Sequence, residues 1–137
     1  MTKVECIFNL NSIEESYLYL LDKFINKKIF IYKKDNHSAV SESLWKIQDR
    51  FFIHESEDNV KNDLNVPILI GKEFSKKHDQ ILINLEQDYW DKFSRYEIMV
   101  ELINNEEIIK DKARERIKKY QDVGYEIKYI DFKKLTQ

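Results

Sequence analysis

Lys110, Arg114 and Lys118 stand four residues apart in the segment "KDKARERIKKYQDVGY" (110–125). On a helix that spacing makes one cationic row. Taken alone, such a row is a band of positive charge along one helix edge, open to anionic partners in general. Between Lys110 and Lys119 six cations face only Asp111 and Glu115, a local +4 that leaves −6 for the rest of a chain whose formal charge is −2. On charge alone the leading reading is a solvated helix face, with cations favoured toward the C-terminal end by the macrodipole.

Other chemistries have weaker support. His37, His54 and His78 are scattered, without metal-ligand spacing, and read as ordinary surface or loop histidines. Cys6, the single cysteine, sits in an apolar strand pattern that predicts a buried, reduced and inert thiol. The pairs Glu14-Glu15 and Glu106-Glu107 fall in first helical turns, where the dipole welcomes negative charge. The two glycines, Gly71 and Gly124, belong to no phosphate-binding pattern, and the first strand-to-helix junction is Asn9-Leu10-Asn11-Ser12. No cofactor and no metal are expected. An enzyme using Glu73, Asp79 or His54 from loops near strand ends is the weakest functional reading.

The elements that must position the cationic row follow from periodicity. Val4–Leu10 reads as a buried strand. Ser12 and Glu15 have capping-box spacing, and Ile13, Tyr17, Leu20, Leu21 and Phe24 make a helical apolar face. "KIFIYK" (28–33) is a second strand. Asp35 or Asn36 caps a second helix, on which Val40, Leu44 and Ile47 share a face. "FFIHESEDNVKNDLN" (51–65) is aperiodic and acidic, and reads as a loop. "PILIG" from Pro67, "QILINL" (80–85) and "YEIMVELI" (96–103) are strands, with an aromatic helical turn around Tyr89, Trp90 and Phe93. Asn104 and Glu107 again have capping-box spacing, a last helix runs to about Val123, and Gly124 occupies a left-handed cap position. The chain closes on the strand pattern of "YEIKYIDF".

This order predicts an α/β fold, a single domain over 1–137 with three α/β/α layers and a largely parallel central sheet, Rossmann-like but without a nucleotide-binding loop. With 42% hydrophobic and 35% charged residues the chain has a globular composition. Its longest apolar runs are four to five residues, so no membrane span is expected. The N-terminus lacks a signal-peptide pattern, and a cytoplasmic location is expected.

On the last helix Ile109, Ala113, Ile117 and Tyr120 form the core-facing stripe. The Lys110–Arg114–Lys118 row is rotated from it by about 100°, so it borders the buried face, a position that can offer a positive rim beside an apolar groove. Lys112, Arg116 and Lys119 are expected to point elsewhere, serving solubility and pairing with Asp111 and Glu115.

"ARER" (113–116), followed by Lys118, Tyr120, Gly124 and Tyr125, resembles the C-terminal signature of the chi subunit family of bacterial DNA polymerase III. "LW" (44–45) followed by "FFIH" (51–54), "ILINL" (81–85) and the N-terminal strand, helix, strand order are similar to that family as well, over nearly the full length. The resemblance implies a non-enzymatic accessory protein of the replicative clamp loader. Such a protein binds the acidic C-terminal tail of single-stranded DNA-binding protein, binds the psi subunit, and meets DNA only indirectly, as a monomer or as a heterodimer with psi. The tail presents several aspartates and ends in phenylalanine with a free carboxylate.

Carried over by position, the resemblance implies Arg114 as the carboxylate clamp and Lys110 and Lys118 as attractors of the acidic stretch. Ile103 and Ile117 would line a slot for the ring, with Trp45 and Phe52 as a neighbouring apolar wall. The chain departs from the family pattern at Ile117, where an aromatic is common, and at Gln121, where a basic residue is common. The alternative function is direct nucleic-acid binding through the basic helix. Against it stand the net charge and the absence of interleaved aromatics.

Overall fold

Apolar runs too short to span anything but a sheet set the architecture. The structure, a computed structural model, describes residues 1–47, 53–55 and 67–135. Its strands are β1 (Lys3–Leu10), β2 (Ile29–Tyr32), β3 (Ile53–Glu55), β4 (Ile68–Gly71), β5 (Ile81–Asn84), β6 (Ile98–Asn104) and β7 (Ile127–Asp131). They form one sheet in the order β3-β4-β2-β5-β6-β1-β7, and every pairing is parallel. Parallel neighbours require crossovers, here supplied by α1 (Tyr17–Lys23), α2 (His37–Ile47) and α3 (Glu107–Asp122). A short α4 (Phe132–Leu135) follows β7.

Strand alternation divides the core in two. Ile29, Ile31, Ile68, Ile70, Ile81 and Ile83 point to one face, where α1 and α2 cover them with Tyr17, Leu20, Leu21, Val40 and Leu44. Phe30, Tyr32, Leu69, Leu82 and Met99 point to the other, under Ile117 and Tyr120 of α3 and Phe93 of the 3-10 turn Asp91–Arg95. Each fully buried aliphatic contributes about 1.5–3 kcal/mol. Three layers result, with α3 on the opposite face from α1 and α2.

Some local expectations are revised. The segment 51–65 holds β3, a short edge strand in register with Ile68–Ile70. Three residues without alternation leave no periodic signal. Neither predicted capping box closes fully. Ser12 makes no side-chain cap bond, while Asn11 N–H donates to Glu15 Oε2 at 2.7 Å. Asn104 Oδ1 accepts the Glu106 N–H at 3.0 Å, and Glu106 is the N-cap of α3. At the other end Gly124 (φ 95°) donates to Gln121 O and Tyr125 to Tyr120 O, both at 3.0 Å, the paired bonds of a Schellman motif.

Candidate functional site

α3 owes its placement to a pattern that includes one charged residue. Ala113, Arg116, Ile117 and Tyr120 are its buried positions, the i, i+3, i+4, i+7 stripe of a core-facing helix. Arg116 therefore does not serve solubility, and that expectation is corrected: the residue is 3% exposed. It meets Glu101, which is fully buried in the middle of β6, through Nε to Oε2 at 2.9 Å and Nη2 to Oε1 at 3.1 Å. Arg116 Nη1 donates to the Gln87 carbonyl at 2.6 Å. Tyr120 Oη donates to Glu101 Oε2 at 2.6 Å, and Asn84 Nδ2 donates to the same carboxylate at 3.2 Å. Burial, reinforced by Glu101, pushes the Tyr120 phenol well up. Desolvation opposes the charge on Arg116, but Glu101 outweighs it and holds the guanidinium protonated. The network pins α3 to β6 in one register.

With Arg116 turned inward, Lys110, Arg114 and Lys118 are left along one outer edge of α3. They form one wall of a groove of about 550 Å³. Ile103 and Asn104 at the end of β6 and Ile117 make its floor, and Phe8, Asn9 and Tyr129 stand on the side of β1 and β7. Ile103 is half-buried and Ile117 buried, whereas Tyr129 is 55% exposed. Three cations and no acidic residue line the groove among the described residues. Arg114 is exposed, and its Nη1 is held by Asp111 Oδ1 at 2.8 Å. Lys110 Nζ lies 3.7 Å from Glu107 Oε1. Exposed pairs like these contribute about 0–1 kcal/mol, so an incoming carboxylate can displace them. Such a groove offers charge-assisted hydrogen bonds at the rim and an apolar slot beside them.

The structure thus brings together Arg114, Lys110, Lys118, Ile103 and Ile117. It does not bring Trp45 to them. Trp45 is 40% exposed on α2, in the layer across the sheet, so its expected place as an apolar wall of this groove is corrected. Phe52 lies outside the described residues. The two departures from the family pattern both face the groove, Ile117 at its floor and Gln121 at its exposed rim.

Phe8, Asn9 and Tyr129 were not among the expected residues. Only the apolar character of Phe8 and Tyr129 marked them, and the same signal marks any core strand. Cys6 reaches the groove floor but is 1% exposed, and burial followed by the Glu101 charge pushes its thiol up to about 12.

Elsewhere the potential chemistry is sparse. A second cavity of about 330 Å³ opens at the strand C-termini between α1 and α2. Of the polar residues that line it, Arg116 and Asn84 are already engaged with Glu101. Glu73 and Asp79 are exposed, and His78 is fully buried in a turn. Among the described residues no three acidic, histidine or cysteine side chains gather as a metal site, and no helix is long and apolar enough to cross a membrane.

Residues 1–128 match the protein family described as DNA polymerase III chi subunit, HolC. No curated protein matches the chain.

Proposed function

The chain belongs to the DNA polymerase III chi subunit family, and we propose that the α3 groove is where it takes hold of its acidic ligand. As a chi subunit it is a non-catalytic accessory protein that binds the C-terminal tail of single-stranded DNA-binding protein and links it, through psi, to the clamp loader.

The observation that carries the assignment of the site is the pairing of one apolar slot with a wall whose charged residues are all cationic. Arg114 takes the terminal carboxylate, releasing Asp111. Lys110 and Lys118 attract the aspartates, and the terminal ring enters the slot between Ile103 and Ile117. Several tails displayed on one assembly raise the effective concentration, so modest single-tail affinity suffices. A dissociation constant on the order of micromolar, about −8 kcal/mol, is expected.

Direct binding of nucleic acid has less support. Arg116 is withdrawn into the core, and the exposed part of the helix carries acids among its cations.

Calorimetric titration with an acidic peptide ending in phenylalanine tests the assignment. Arg114→Ala should cost about 2 kcal/mol or more of binding, and amidating the peptide's terminus should cost a similar amount. A loss under about 1 kcal/mol for both would make Arg114 an ordinary rim charge.

A further inference from the structure

β1 has one irregularity, and it lies in the groove. From Lys3 to Ile7 the strand pairs with β6 residue for residue, ending with Ile7 opposite Leu102; then Leu10 stands opposite Asn104. One extra residue has entered β1, a bulge at Phe8 and Asn9. Asn9 takes φ 63°, in the left-handed region that side chains other than glycine seldom adopt.

The bulge re-aims side chains. Regular alternation from Ile7, which packs on the α1 side, would return Asn9 to that side and send Leu10 toward α3. Instead Leu10 is buried with Ile7 on the α1 side, and both Phe8 and Asn9 line the groove. Asn9 is also anchored: its Nδ2 donates to Asp131 Oδ1 at 3.0 Å, at the end of β7. The same oxygen accepts the Lys133 N–H at 3.1 Å. Two consecutive side chains on one face, one of them in a conformation held from outside, make a built wall opposite α3.

We propose that the Phe8–Asn9 bulge is the specificity-determining wall of the groove. The Phe8 ring forms the side of the slot that receives an aromatic C-terminal residue, and Asn9, tied to Asp131, keeps that ring in place. The inference rests on reading the groove as the tail site. The two walls divide the work. The cations of α3 attract any acidic peptide with a free carboxylate, whereas the apolar wall distinguishes a terminal ring from a terminal aliphatic chain.

The test is fluorescence anisotropy with two labelled acidic peptides, identical except for a terminal phenylalanine or leucine, both with free carboxylates. Wild type should favour phenylalanine about threefold to tenfold, the range of one aromatic pair. Phe8→Leu should bring the ratio within about twofold by weakening the phenylalanine peptide more than the leucine peptide, and Phe8→Tyr should preserve the ratio. Asn9→Gly accepts the left-handed backbone but loses the anchor, and should lower the ratio in part. A ratio unchanged in both Phe8→Leu and Asn9→Gly overturns this inference and leaves the tail site standing. A wild-type protein that binds neither peptide overturns both.

Discussion

Replacing Arg116 by methionine leaves the fully buried Glu101 carboxylate without its counter-ion, and the consequences can be worked from the network. Two Arg116 hydrogen bonds to Glu101 at 2.9 and 3.1 Å are lost, and so is the bond to Gln87 O at 2.6 Å. Breaking a buried pair from one side costs about 3–5 kcal/mol, because the remaining charge is uncompensated. Against a domain stability of about 5–15 kcal/mol, that is a large share.

Removing both charges, as in Glu101→Leu with Arg116→Met, should recover part of the loss. Full recovery is not expected, since the Tyr120 hydroxyl and the Asn84 amide would lose the acceptor that holds them at 2.6 and 3.2 Å. Each orphaned group costs about 1–3 kcal/mol. Urea unfolding of the wild type, both single variants and the double variant gives the coupling energy directly. A cost below about 1 kcal/mol for Arg116→Met, or a coupling near zero, would instead place the pair among screened surface pairs.

Further consequences follow from the same geometry. Asp111→Asn frees Arg114 from its competitor and raises the groove's local charge, so tail-peptide affinity should rise by about 0.2–0.5 kcal/mol. Calorimetry at low salt would read the gain, and unchanged or weaker binding would count against displacement of Asp111. Alkaline pH should destabilise the fold. Burial, followed by the Glu101 charge, raises Cys6 from 9.0 to about 12, so the native state keeps a proton that the unfolded chain gives up. The contribution of Cys6 is fully present below pH 9 and lost between 9 and 12. Cys6→Ala should therefore flatten the decline in stability over that range by up to about 1.4 kcal/mol per pH unit. Identical slopes for the two proteins would contradict it.

Much of the fold was legible because strongly apolar runs such as "IFIY" and "ILIN" leave few alternatives to parallel strands buried on both faces. β3 was not, since three edge residues carry no period. On α3 the cationic row was visible as spacing, but Arg116 was grouped with the solvated charges. Two features together would have found it: the 113, 116, 117, 120 stripe, and a glutamate in the centre of "IMVELIN", which must be paired if buried. The groove's second wall was out of reach. A bulge and a left-handed asparagine are consequences of register, and "FNLN" reads the same with or without them. Trp45 failed for a topological reason, because a motif in sequence order does not say on which face of a sheet its helix will lie.

In the proposed complex the acidic tail seats between α3 and the ends of β6, β1 and β7. An amide-shift titration of isotopically labelled protein with an acidic peptide ending in phenylalanine addresses it most directly. Saturating shifts should centre on Phe8–Asn9, Ile103–Asn105 and the edge of α3 from Lys110 to Lys118, and they should collapse when the peptide is amidated. Shifts centred on α2 around Trp45, or a response that ignores the terminal carboxylate, would exclude the α3 groove as the tail site.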